Sequence, residues 1–135
     1  MTALTQDRDT PRRDGAQFEH PVAAATRIFA GAIVANNASG YAVPGATSTT
    51  LTALGIAQAQ IDNSAGLAGE QSVPVRRGLF RLANSAGADE VTRADINKPV
   101  YMVDDQTVAK SSGTNTRSVV GIARDLDAGG VWVEF

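Results

Sequence analysis

Leu54-Gly55-Ile56-Ala57 and Val120-Gly121-Ile122-Ala123 are two copies of one short apolar string, and their surroundings repeat as well. Ahead of the first stand Ile33-Val34-Ala35-Asn36-Asn37, then Tyr41-Ala42-Val43, then a loop of Gly, Ser and Thr. Ahead of the second stand Tyr101-Met102-Val103-Asp104-Asp105, then Thr107-Val108-Ala109-Lys110, then the polar loop Ser111-Ser112-Gly113-Thr114-Asn115-Thr116. Each copy closes on a further strand pair, ending at Gly78-Leu79-Phe80 in the first and at Val131-Trp132-Val133-Glu134-Phe135 in the second. Strand, turn, short strand, polar loop and Gly-Ile-Ala strand, given twice, predict two similar β units packed together. In each copy the glycine permits a bulge or a close backbone approach, and the β-branched isoleucine is expected to point inward.

Working outward, short β-like runs separated by Gly, Asn, Asp, Ser and Pro clusters fill the chain from Val22 onward. The expected strands are Thr26 to Ala35, Tyr41 to Val43, Ala53 to Ile61, Ser72 to Arg76, Gly78 to Ala83, Val100 to Asp104, Thr107 to Lys110, Val119 to Asp125 and Val131 to Phe135. Alternation is clearest in the last, which puts Val131, Val133 and Phe135 on one face and Trp132 and Glu134 on the other. One short helix or 3₁₀ turn is expected within Asp89 to Asn97, where Thr92 can cap it before Pro99. The fold class is therefore mainly β: a small β-barrel or β-sandwich, pseudo-duplicated, with at most one short helix.

Met1 to Pro21 reads differently. It carries Asp7, Arg8, Asp9, Arg12, Arg13, Asp14 and Glu19 but few large apolar groups, so it is expected to be an extended N-terminal arm beside a β-rich domain at 22–135. It has no apolar core of a secretory signal, and no stretch of the chain approaches the roughly 20 apolar residues of a membrane-spanning helix. Cytoplasmic synthesis and no membrane partner are the expectations.

Composition narrows the function. Of the 135 residues 43% are hydrophobic, 19% charged and only 5% aromatic, so the chain folds but has few large core anchors, a shortage that oligomerisation compensates. A formal net charge of −2 supplies no basic field for nucleic acid. Cysteine is absent, which removes disulfides, thiolate metal sites and Cys nucleophiles. The lone histidine, His20, stands in the charged arm with no nucleophile beside it in sequence, and is expected to be exposed or at an interface. No G-x-S-x-G, H-E-x-x-H or phosphate-binding G-x-x-x-x-G-K-[ST] occurs. Asp104-Asp105 and Asp125 with Asp127 pair carboxylates as hydrolases and calcium sites do, yet each falls where a strand enters a turn, the ordinary place for Asp. We therefore expect no enzyme, no catalytic residues, no metal and no cofactor.

The order of these features resembles a family of small tailed-phage head proteins, the capsid decoration or cement proteins, including phage proteins mislabelled as recombinases. The matching elements are the polar arm, Gly31-Ala32-Ile33-Val34, Leu54-Gly55-Ile56-Ala57, Gly69-Glu70-Gln71-Ser72-Val73-Pro74-Val75 leading into Gly78-Leu79-Phe80-Arg81-Leu82, Asn97-Lys98-Pro99-Val100-Tyr101, Val120-Gly121-Ile122-Ala123 and the terminal Gly130 to Phe135. The resemblance implies a homotrimer on the outer face of an assembled virion capsid, bridging major capsid protein subunits. Residues suited to capsid or subunit contact are Leu4, Arg8, Arg12, Arg13 and Phe18 in the arm, Arg76-Arg77, and Trp132. A carbohydrate-binding or host-adhesion module stacking sugars on Trp132, Tyr41 or Tyr101 is the alternative, with a small hydrolase built on the Asp pairs behind it.

Overall fold

A computed structural model describes residues 2–13 and 15–135; Met1 and Asp14, both assigned to the arm above, lie outside the described residues. The protein is mainly β. In chain order the strands are β1 (Gln17–Pro21), β2 (Thr26–Ile28), β3 (Ile33–Asn36), β4 (Ala42–Pro44), β5 (Thr52–Ala57), β6 (Ile61–Asn63), β7 (Ser72–Arg76), β8 (Leu79–Asn84), β9 (Pro99–Met102), β10 (Thr107–Ala109), β11 (Val119–Asp127) and β12 (Gly130–Glu134). Two 3₁₀ turns, Gly87–Asp89 and Arg93–Asp95, lie in the β8–β9 connection. Where one short helix was expected there are two single turns, and Thr92 caps the second through a reciprocal capping box with Asp95.

The second half of the chain closes into a five-stranded barrel in the order β10-β8-β12-β11-β9. The first half forms a five-stranded sheet in the order β1-β7-β5-β3-β4, with β2 and β6 paired beside it. These are one topology used twice. In the barrel, β8 and β10 run parallel through Val108↔Asn84; in the first sheet the same edges meet at a single parallel bridge, Val22↔Ala42. The registers agree to the residue: Val34↔Gly55 and Ala35↔Ala53 correspond to Val100↔Gly121 and Tyr101↔Val119, each position shifted by 66 residues.

The repeat is thus real, with two changes to its reading. The counterpart of Ile33 is Pro99, so the expected alignment of Ile33 with Tyr101 was two residues out of step. Leu79 and Phe80 do not close the first unit; they open the second, where β8 pairs with β12 as β1 pairs with β7. The arm is shorter than expected for the same reason: Gln17–Pro21 is the first strand of the first unit, hydrogen-bonded along β7. The long strands expected from Thr26 to Ala35 and from Ala53 to Ile61 are each broken in two, the former at Gly31, whose φ of 85° turns the chain.

Two matching bulges sit at the repeated string. Between Val34 and Ala35, β5 spends an extra residue, Leu54; between Val100 and Tyr101, β11 spends Val120. The extra residue leaves two consecutive positions, Leu54-Gly55 or Val120-Gly121, on the inner face, and the following isoleucine points outward. Ile56 and Ile122 therefore point away from their own unit, against the inward expectation: Ile56 pairs with Ile33 on the outer face, and Ile122 with Pro99.

That outward face joins the two halves. Val34, Ala42, Ala57, Val73 and Val75 fill the first unit with Val22 and Ile28. Ile33, Ala35 and Ile56, on the opposite side of the same strands, instead belong to the core of the barrel, with Val100, Met102, Val108 and Val133. Bonds seal the junction: Ile33 N–H donates to Asp105 C=O (2.7 Å), Thr47 Oγ1 to Val103 C=O (2.8 Å) and Ser118 Oγ to Ser48 C=O.

A Cβ on Gly55 would lie 2.5 Å from the Arg76 carbonyl oxygen, and one on Gly121 would strike the Glu134 carbonyl, the corresponding atom of the other unit. Gly55→Ala and Gly121→Ala should each cost about 1–3 kcal/mol in urea unfolding, the usual scale of forced overpacking. Gly15→Ala, with open space around it, should leave the midpoint unchanged.

Candidate functional site

The residues expected to make contacts fall into three places. Leu4, Arg8 and Arg12 are exposed in the N-terminal segment, Leu4 to 73%. Arg13, Phe18 and Arg77 come together at one end of the first unit. The Arg13 guanidinium lies 5.0 Å from the centre of the Phe18 ring, a cation–π contact. Arg77 is tied by its N–H to the Ala16 carbonyl (2.7 Å). Arg76 is exposed at the end of β7, opposite Gln17. Trp132 stands apart, half-buried on the outer face of the barrel.

Phe18 faces inward from β1, since its register partner Val75 is a core residue. With His20, Ala53, Leu54 and Arg77 it lines a cavity of about 270 Å³ open to solvent. His20, expected to be exposed or at an interface, is half-buried with its ring centre 6.3 Å from that of Phe18. Burial lowers its pKa below the ordinary histidine value, and the neighbouring Glu19 carboxylate opposes the shift. The neutral ring is thus favoured in the fold, and the stability it contributes is present above the ordinary histidine value and lost as pH falls from there through the lowered folded value. Ala53 and Leu54 were not singled out as site residues by sequence reasoning, and His20 was read only as an exposed or interface side chain. Alternation in Gln17–Pro21 was the available signal, hidden by assigning those residues to the arm.

Trp132 is held by two partners. Its indole N–H donates to Asp127 Oδ2 at 2.8 Å, and the Arg81 guanidinium lies 5.8 Å from the ring centre. Its alternation with Val131 and Val133 is as expected. The ring thus has a cation near one side and a carboxylate at its edge. Tyr41 and Tyr101 are half-buried and lie in different units.

Three of the paired carboxylates, Asp104, Asp125 and Asp127, bond to the backbone of their own turns. Asp104 Oδ1 accepts from the N–H groups of Gln106 and Thr107 at 2.9 and 2.8 Å. Asp125 Oδ1 accepts from the Leu126 N–H and from Arg93, which hold its pKa below the usual carboxylate range. Asp127 is lowered first by the Trp132 indole N–H and then by the Gly129 N–H. Among the described residues no group of three or more His, Cys, Asp or Glu side chains is gathered as a metal site would need.

Asp127 and Trp132 make the chain's single tryptophan a reporter of one carboxylate. Because the folded pKa is depressed, the stability that Asp127 contributes is present above the ordinary aspartate value and lost as pH falls through the folded one. An acid titration should therefore show a change in Trp132 emission with its midpoint below the usual aspartate range, and Asp127→Asn should abolish it. A midpoint at the ordinary value, or the same transition in Asp127→Asn, would contradict the assignment.

No family model matches the chain, and no solved structure matches it. Among curated proteins, it is 29% identical over 107 residues, covering 79% of this chain and 88% of the relative, to the calcium-regulated OB-fold protein CarO of Pseudomonas aeruginosa.

Proposed function

We propose that this chain is a structural protein of a phage head that binds the outer surface of the assembled capsid as a homotrimer and stabilises contacts between major capsid protein subunits. The observation that carries this reading is the doubled β unit: two copies of one topology, in one register, share a core and present edges and loops around their perimeter. A repeated, rigid small unit suits a symmetric shell, where modest contacts made many times add to its resistance to internal pressure. The motif order of the sequence supports the same reading. The exposed segment at residues 2–13 is a suitable tether, because it can add to a neighbour through backbone bonds and through Leu4.

The similarity to a calcium-regulated protein favours a second reading, a calcium-responsive barrel protein unconnected with capsids. Co-sedimentation with purified heads, with calcium or with chelator, separates the two. The capsid reading expects retention on heads in both conditions; the second expects calcium-dependent behaviour and no retention.

Deleting residues 2–13 should leave the β fold intact by circular dichroism and weaken retention on heads about tenfold, equivalent to roughly 1.4 kcal/mol. Fixing each residue of the segment costs about 1–2 kcal/mol of backbone entropy, so its charges alone would not hold it and Leu4 must dock. Equal retention of full-length and truncated protein would remove the segment from the interface.

A further inference from the structure

The two units match in register but not in what covers them. In the first, the outer face of β3 and β5 (Ile33, Ala35, Ile56) is buried against one end of the barrel. That end is marked by the junction groups Val103, Asp105 and Ser118, which lie where β9 ends, β10 begins and β11 begins. Phe80, Leu82 and Val120 point inward there and belong to or pack on the same cluster. The chain therefore contains one copy of a head-to-tail interface, in which the outer face of one unit closes the open end of the next.

Each half of that interface has a second copy with no counterpart. On the barrel, the positions equivalent to Ile33, Ala35, Ala53 and Ile56 are Pro99, Tyr101, Val119 and Ile122. All four remain apolar or aromatic, and none is buried; Val119 is 47% exposed although the outer position of a soluble sheet would ordinarily be polar. On the first unit, the positions equivalent to Phe80, Leu82 and Val120 are Phe18, His20 and Leu54. These line the open cavity of about 270 Å³, with Arg77 where the barrel has Phe135, and Arg13 reaches over Phe18.

We infer that the outer β9–β11 face of one copy docks into the Phe18–His20–Leu54 end of a second copy of this chain, repeating between chains the contact already made within one. The free face continues directly from the internal junction, since Val119 follows Ser118, whose hydroxyl bonds Ser48 there. A contact of this kind is heterologous, so it generates a ring when its rotation closes. The inference deepens the oligomeric part of the proposed function and is independent of whether capsids are the target.

Sedimentation velocity of the full chain tests it with two variants, each checked for folding by circular dichroism. Val119→Arg blocks the donor face, and His20→Arg puts a cation into the receiving cavity. Wild type should assemble, each variant alone should be monomeric, and an equimolar mixture should give dimers and nothing larger, because one intact face and one intact cavity remain. Leu67→Arg, at an exposed position outside both surfaces, should assemble as wild type. A monomeric wild type, a Val119→Arg protein that assembles normally, or a mixture that stays monomeric would overturn the inference. Normal assembly of Val119→Arg would leave an oligomeric decoration protein possible through another face, whereas intact rings that ignore heads would overturn the capsid reading alone.

Discussion

The missing side chain of Gly55, and of Gly121 after it, is the constraint on which both units depend. A backbone carbonyl of the neighbouring strand, Arg76 in one case and Glu134 in the other, occupies the space a Cβ would need. The bulge beside each glycine, in the pairing with the strand on its other side, adds Leu54 or Val120 to the inner face and turns Ile56 or Ile122 to the outer one. Every later choice follows from this reversal. Without it, Ile56 would be one more core residue of its own unit, and only Ile33 and Ala35 of β3 would be left to join the halves.

Joining matters because the cores are built from small parts. The first is filled by Val, Ala and Ile, with Leu54 and Ile61 at its margin, and no aromatic side chain belongs to it. The second gains Phe80 and Phe135, which meet edge to face with ring centres 6.1 Å apart. Using both sides of β3 and β5 buries more apolar surface per residue than two separate units could, which is how a chain with few large anchors obtains a continuous interior. Among the described residues, the five surface ion pairs, from Arg27–Asp62 to Arg124–Glu134, mostly join half-exposed groups and contribute little by comparison.

Much of this was legible in the residues. The repeated Gly-Ile-Ala string marked the duplication, its glycines marked the bulges, and the alternation of Val131 to Phe135 placed Trp132 on the outer face. What misled was local. Gly31 and the turn after Ala57 divide runs whose composition is β-like throughout, and composition does not show where a strand changes partner. Gln17–Pro21 is polar at alternate positions because its outer side is wet, and flanking charges made it look like part of the arm. The inward expectation for Ile56 and Ile122 failed because a bulge shifts side-chain parity by one, which no pattern of period two can register. The cavity at Phe18 and His20 went unseen for the same reason as the strand that builds it.

Because Ile33, Ala35 and Ile56 lie in one core while Val34 and Ala57 on the same strands lie in the other, the boundary between the repeats is not a line along which the molecule can be parted. Strands β3 and β5 cannot melt from the first unit while remaining docked to the second. The protein is a duplication in sequence and topology but a single cooperative unit in energy, and neither half retains a complete interior without the other.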